Sequence, residues 1–195
     1  MWDERYARDE YVYGTEPNEF LLAHASRLQG PVLSLAEGEG RNAVFLAEQG
    51  LDVLGVDASG VGLAKAQALA VRRGVKIRTE VADLGTFDPG AARYGAIVSV
   101  FAHLPGPIRA RLYPRLLDAL MPGGLVVMES YSERQPAFGT GGPKDLDMLM
   151  TPDKVRADFS GLEILLLQEI EREVVEGSFH TGLAAVVQFV GRKPG

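Results

Sequence analysis

The stretch Val32-Leu33-Ser34-Leu35-Ala36-Glu37-Gly38-Glu39-Gly40-Arg41-Asn42-Ala43 decides the fold. A short apolar run stops at a loop holding Gly38 and Gly40, and a helical pattern starts at once. In a parallel α/β sheet this is where a first strand ends, turns tightly and feeds a helix N-terminus. Glycine is expected there because a Cβ would block both the turn and the approach of a ligand to the backbone. Exposed N–H groups of the loop and helix start favour a nucleotide-like or carboxylate-bearing cofactor. Asp57 follows seventeen residues after Gly40, at the end of a second apolar run. An acid at a second strand tip is placed to accept hydrogen bonds from ribose hydroxyls.

The rest of the chain continues the alternation. Strand-like runs at 32–35, 53–56, 76–81, 96–100 and 125–128 are separated by helix-like stretches at 42–49, 61–73 and 108–121. Gly50, Gly74 and Pro122-Gly123-Gly124 stop those helices. Apolar strands alternating with helices predict a parallel sheet covered on both sides. Two β-like runs at 162–175 and 183–191 are joined by Glu176-Gly177-Ser178-Phe179-His180-Thr181-Gly182. No crossover helix fits between them, so they are predicted to pair as an antiparallel hairpin. The expected fold is an α/β, Rossmann-like doubly wound sheet, mostly parallel, with a C-terminal antiparallel hairpin.

Composition narrows the function classes. At 195 residues, 46% hydrophobic and 24% charged, the chain suits one soluble domain spanning 1–195. No apolar run approaches the ~18 residues a membrane helix needs, so no membrane partner is expected. The acidic, aromatic start Met1-Trp2-Asp3-Glu4-Arg5 does not read as a signal peptide. The absence of cysteine removes disulfides and thiolate sites and fits a cytoplasmic protein. The net charge of −6 argues against nucleic acid. Arg72 and Arg73 read as a charge preference at a helix C-terminus. No histidine pair has the spacing of a metal motif, so no metal is expected.

Two segments outside the alternation matter. Residues 1–31 hold five of the fifteen aromatics and read as an arm, with an extended piece and turn over 11–18 and a helix over 17–28. The arm either packs on the sheet edge or folds over the cofactor and shields it from water. The segment 131–150 is rich in Gly and Pro and follows the fifth strand, at the same sheet edge as the glycine loop. It reads as a substrate loop, with a plain surface loop as the alternative.

This constellation resembles the class I S-adenosylmethionine-dependent methyltransferases, over essentially the whole chain. That family's first strand and loop read apolar-apolar-acid-apolar-Gly-x-Gly-x-Gly. Here Ser34 replaces the acid and Ala36 the first glycine, which leaves the contact to the cofactor's amino group to Glu37 or a water. Asp57 matches the acid that holds the ribose diol. Ala82-Asp83-Leu84 matches the segment beside the adenine, with Asp83 accepting from its amine. The resemblance implies the seven-stranded methyltransferase fold and S-adenosylmethionine as cofactor. The implied cofactor residues are Tyr13, Ala36, Glu37, Gly38, Gly40 and Asn42 on the methionine side. Asp57, Ala58, Asp83, Leu84 and Val100 complete that set.

Trp2-Asp3-Glu4-Arg5-Tyr6, Tyr11-Val12-Tyr13-Gly14, Gly40-Arg41-Asn42 and Phe101-Ala102-His103-Leu104-Pro105 look most similar to the small-molecule branch with tellurite-resistance and thiopurine-type enzymes. The position after the fourth strand lacks the Asn/Asp-Pro-Pro-aromatic motif of enzymes that methylate amino groups of bases or glutamine. A small oxygen, sulfur or related soft acceptor is therefore expected, for a monomer or homodimer.

Methyl transfer needs an in-line approach and exclusion of water, with no metal or covalent intermediate. His103, after the fourth strand, is the candidate general base; its alternative role is to hold the loop. Phe101, Tyr131 and His180 are candidate substrate residues, and His180 with Glu176 either approaches the site or stabilises the turn. His24 reads as structural. Two competing readings share the residues. Gly38-x-Gly40-x-x-Ala43 also satisfies the fingerprint of an NAD(P)-binding oxidoreductase. A non-catalytic S-adenosylmethionine-binding module would use the same fold.

Overall fold

Val32–Leu35 forms strand β1, with all four residues buried, in a computed structural model whose described residues are 2–178 and 180–195. Successive side chains of β1 enter different cores. Leu33 and Leu35 pack with Leu112 and Leu116, whereas Val32 packs with Phe20, Val44 and Leu69. A strand buried on both faces has no polar face to alternate with, hence the nearly continuous apolar run.

Six further strands complete the sheet: β2 (Val53–Asp57), β3 (Arg78–Val81), β4 (Tyr94–Val100), β5 (Leu120–Tyr131), β6 (Glu163–Glu176) and β7 (His180–Arg192). Their order is β3-β2-β1-β4-β5-β7-β6. The first five run parallel, and β7 inserts antiparallel between β5 and β6. The predicted hairpin is thus present, and it extends the sheet instead of folding away from it. Helices α2 (Glu19–His24), α3 (Arg41–Glu48) and α4 (Gly60–Arg72) cover one face, and α5 (Gly106–Ala119) and α6 (Pro152–Asp158) the other. A five-residue helix, α1 (Trp2–Tyr6), lies against α4. Among the described residues no helix is long and apolar enough to cross a membrane.

Several expectations are corrected in detail. The helix over 17–28 is the six-residue α2, capped by the Asn18 side chain accepting from Leu21 N–H at 2.9 Å, followed by a 3-10 turn at Ala25–Arg27. The turn expected over 11–18 is present, closed by Gly14 N–H donating to the Tyr11 carbonyl at 2.9 Å. β3 starts at Arg78, not Lys76, and is mostly exposed, as the sheet's edge. Its alternating charges suit an edge that must not recruit another chain. Helices α1 and α6 were not expected. α6 carries a readable start, Thr151 accepting from Lys154 N–H at 3.1 Å with Pro152 next, which favours a helix N-terminus.

The Arg72-Arg73 pair does more than complement a helix dipole. Arg73 reaches Glu16 at 2.6 Å, and the Arg72 guanidinium sits 4.8 Å over the Tyr11 ring. Both tie the N-terminal arm to α4.

Candidate active site

The carboxyl ends of the central strands open onto one cavity of about 540 Å³. Ala36 and Glu37 follow β1 into its wall, Asp57 and Ala58 end and follow β2, and Asp83 and Leu84 come after β3. Asn42, at the start of α3, also lines it, as do Val100 and Tyr13. Gly38 and Gly40 do not, and their role differs from the expected one. An alanine Cβ at Gly38 would lie 2.7 Å from the Tyr6 hydroxyl oxygen, and one at Gly40 would lie 2.6 Å from Cα of Ala66. The missing side chains admit α1 and α4 rather than a ligand. Their N–H groups and turns still shape the loop: Gly38 N–H donates to Asp57 Oδ2 at 2.9 Å.

Asp57 is buried, and Ser59 N–H donates to its other oxygen at 2.8 Å. Burial pushes its pKa up, against these two hydrogen bonds. Each carboxylate oxygen has a second lone pair, so the group can still accept from two hydroxyls in the cavity. Glu37, expected to stand in for the missing acid, is committed locally. It is bonded to the Ser34 hydroxyl and accepts from Ala43 N–H at 2.9 Å. Ser34 and Glu37 together fill the space beneath the loop.

The arm folds over the cavity. Trp2, Arg5 and Tyr6 of α1, with Tyr13 and Gly14, form its roof. Lys65 of α4 is the anchor: its ammonium donates to the carbonyls of Arg8 at 2.9 Å and Glu10 at 2.6 Å and pairs with Glu39 of the glycine loop. Replacing Lys65 with methionine keeps the stem but removes these contacts. Limited trypsin digestion should then cut after Arg5 and Arg8 roughly tenfold faster, the change expected if opening becomes easier by about 1.4 kcal/mol. Unchanged cleavage would mean that the aromatic packing alone holds the arm.

On the other side of β1 lies a cluster of rings. Phe101 directly follows β4 in a left-handed conformation, φ +50°, uncommon for a bulky residue and a feature of functional loops. Its ring is 4.7 Å from Tyr131, 4.8 Å from His180 and 5.9 Å from His103. His103 and His180 line the cavity, whereas Tyr131 is fully buried behind Gly142. His103 does not present the free basic nitrogen expected of it. Its Nε2 accepts from Tyr131 N–H at 3.3 Å, so the other nitrogen carries the proton of the neutral ring. Burial, with His180 nearby, holds its pKa down at about 3. His24 lies away from the cavity, stacked edge-on against Phe20.

Arg41, Glu39 and the α1 residues were missed in the sequence, although Arg41 directly follows Gly40. Arg41 Nη2 pairs with Glu176 at 2.5 Å, while Nη1 is buried without a partner just behind the cavity wall. Glu176 also accepts from Asn18 Nδ2 at 2.8 Å, and Arg172 links Glu176 to Glu129. This buried ionic network fixes the arm, α3, β5 and the hairpin to one another, with two guanidinium groups balancing two carboxylates. From the 131–150 segment, Gly141, Gly142, Pro143 and Met148 reach the cavity. Arg109 holds that segment's end, donating to the Asp147 carbonyl at 2.5 Å.

Comparison with known proteins follows the same lines. Residues 32–124 match the family described as a methyltransferase domain. The chain is 30% identical over 145 residues to the 2-heptyl-1-hydroxyquinolin-4(1H)-one methyltransferase of Mycobacteroides abscessus, covering 72% of this chain. It spans 61% of that relative's length. Among solved structures, one from work on conversion of a disulfide bond into a thioacetal group during echinomycin biosynthesis has a TM-score of 0.81 at 23% identity, over 99% of this chain and 91% of that one. TehB from Haemophilus influenzae has a TM-score of 0.75 at 17% identity, over 99% and 67%. Residues 32–124 thus match a methyltransferase domain, and the seven-stranded sheet built around them has the fold of the solved structures it resembles.

Proposed function

We propose that this protein transfers a methyl group from S-adenosylmethionine to a small-molecule acceptor. The observation that carries the reading is the cavity wall. Asp83, Asp57 and Arg41 stand on it, contributed in turn from beyond β3, from β2 and from beyond β1, and Nη1 of Arg41 is buried just behind the wall without a partner. An adenine amine, a ribose diol and a carboxylate need those three partners, and a buried guanidinium nitrogen without an acceptor calls for an anion. The relative from Mycobacteroides abscessus, which is named for a small molecule that it methylates, supports a small acceptor here too.

When bound, S-adenosylmethionine supplies a methyl carbon made electrophilic by the attached sulfonium. The residues' own work is positioning and desolvation. Asp57 accepts from the ribose hydroxyls, Asp83 from the adenine amine, and Leu84 packs beside the ring. Arg41, held by Glu176, receives the carboxylate. Trp2, Tyr6 and Tyr13 close the roof and exclude water, so that fixed dipoles replace solvent around the reacting groups. His103 positions Tyr131 and the end of β4. The acceptor sits over Phe101 and between the ring cluster and the 131–150 loop.

Titration calorimetry with S-adenosylmethionine, S-adenosylhomocysteine and NADH in parallel tests the reading. Micromolar binding of the two sulfur compounds and none of NADH is the expected result; binding of NADH alone would overturn it. Asp57→Ala should weaken S-adenosylhomocysteine roughly ten- to hundredfold, the loss of hydrogen bonds to a charged group worth about 1.5–3 kcal/mol. Unchanged affinity would remove Asp57 from the ribose site.

A further inference from the structure

Two polar atoms in the ring cluster have no partner among the described residues. They are the Tyr131 hydroxyl and Nδ1 of His180, both buried. The two rings are 5.4 Å apart, edge to face, and Tyr13 and Phe101 lie against His180 at 4.6 and 4.8 Å. His180 is on the cavity wall. Tyr131 is one glycine backbone behind it, because Gly142 lies against the Tyr131 ring with no Cβ between them. Buried polar atoms are nearly always paired. Two unpaired ones on adjacent rings of an otherwise aromatic cluster therefore describe the group that pairs them.

We infer that the acceptor is a small planar compound with a phenol-type hydroxyl, bound so that Tyr131 O–H donates to its oxygen and its own O–H donates to Nδ1 of His180. This deepens the methyltransferase reading and rests on it for the transfer step. The choice of oxygen follows from lone pairs. A hydroxyl oxygen has two, so one accepts from Tyr131 while the other faces the methyl carbon. An aryl amine has one, and spending it on the methyl would leave the Tyr131 O–H proton without an acceptor, with the hydroxyl oxygen able only to accept an amine N–H. A thiol is too weak a donor and acceptor to replace the water that both groups lose on burial.

In the step itself the hydroxyl proton passes to Nδ1 of His180. The acceptor oxygen forms its bond to the methyl carbon as the carbon–sulfur bond breaks, and sulfur keeps that electron pair. The positive charge lost at sulfur appears on the imidazolium, which then releases its proton to solvent.

The planar, acidic character of the acceptor has two supports. The first is the wall of rings, which fits a flat partner by stacking and edge contacts. The second is basicity. Burial, with Arg41 and Arg5 nearby, holds the His180 pKa down at about 3. Burial also pushes the Tyr131 hydroxyl up, so it stays a donor. So weak a base takes the proton only as the oxygen–methyl bond forms and the hydroxyl turns acidic, and a phenol, already more acidic than an alkyl alcohol, asks less of it. Entry to Tyr131 requires the glycine strip to yield. Its near end is tied down by side-chain hydrogen bonds: Thr140 donates to the Leu183 carbonyl at 2.7 Å and accepts from Gln135 Nε2 at 3.0 Å, and Gln135 Nε2 also donates to the Gly141 carbonyl at 3.2 Å.

The test is binding of para-nitrophenol and its amine counterpart para-nitroaniline by calorimetry, below the phenol's own pKa, with and without saturating S-adenosylhomocysteine. His180→Phe and Tyr131→Phe each keep a ring and delete one polar atom. The expected result is at least tenfold tighter binding of the phenol than the aniline. Each variant should weaken the phenol about tenfold and the aniline by clearly less, with S-adenosylhomocysteine affinity retained as the sign of an intact fold. Equal binding of the two probes, no binding of the phenol, or variants without effect on it would each overturn the assignment. Phenol selectivity that depends on His180, in a protein that ignores S-adenosylhomocysteine, would keep the acceptor pair and overturn the cofactor reading instead.

Discussion

Gly40→Ala is expected to lower stability by roughly 2–6 kcal/mol, seen as a fall in Tm of about 4–24 °C. Two costs add. Gly40 has φ +95° at the start of α3, where any Cβ is strained by about 1–3 kcal/mol. The new Cβ would also stand 2.6 Å from both Cα and Cβ of Ala66. Neither atom can rotate away, because a Cβ is fixed by its backbone. Relief requires α4 to move off the loop, yet α4 is held by Leu63, Ala66, Leu69 and Ala70, all buried. Overpacking of that kind costs a further ~1–3 kcal/mol. Gly50→Ala is the control. Gly50 has φ +83° and nothing within 4 Å of a new Cβ, so it carries the backbone strain alone. If the two variants melt together, the close approach of α4 is not what the glycine serves.

That glycine also shows how far the sequence could be read. The loop, the turn and the need for a missing Cβ were all legible, because they depend on residues next to one another. What fills the space was not: Tyr6 lies 32 residues before Gly38, and Ala66 lies 26 after Gly40, and no local pattern links them. Asp57 and Asp83 were placed well for the same reason that strand ends are legible. A strand's apolar run stops where the chain reaches the sheet edge, and the next polar residues stand at the cavity. Five parallel strands and a terminal antiparallel pair follow from the alternation and from the impossibility of a crossover between residues 176 and 180; the order, with β7 between β5 and β6, does not.

The acceptor side was legible only as a set of residue types. Phe101, His103, Tyr131 and His180 do gather around one point. Which histidine keeps a lone pair depended on a backbone N–H at Tyr131, 28 residues along the chain from His103. The ionic network was hidden altogether. Glu129 sits inside an apolar run on β5, and its partners Arg172 and Gln188 come from the distant hairpin. A charge in a strand reads as solvent-facing until the pairing strand brings its counter-ion. α6 was legible in its Thr-Pro start and was overlooked.

The second large effect concerns pH. Glu37 is almost fully buried, with Cγ 2.9 Å from where a Cβ on Gly55 would stand, so β2 packs directly against its stem. Burial pushes its pKa up to about 7, opposed by its hydrogen bonds from Ser34 and Ala43 and by the charge of Arg41. The sign follows from proton binding. The folded protein holds this proton more tightly than the unfolded chain does. The stabilisation is complete below the ordinary glutamate pKa and is lost as pH rises through about 7. By about pH 8 the loss amounts to roughly 3 kcal/mol, from a shift of about 2.5 pKa units. Glu37→Gln should abolish it. The amide oxygen still accepts from Ala43 N–H, the amide N–H donates to the Ser34 oxygen, and nothing ionises. Scanning calorimetry should find the variant and the parent melting together near pH 5. Near pH 8 the variant should melt higher by about 6–10 °C. Parallel pH profiles would mean that Glu37 ionises in the folded protein at no cost. The Ser34 and Ala43 donors would then fully replace the solvation that the carboxylate loses.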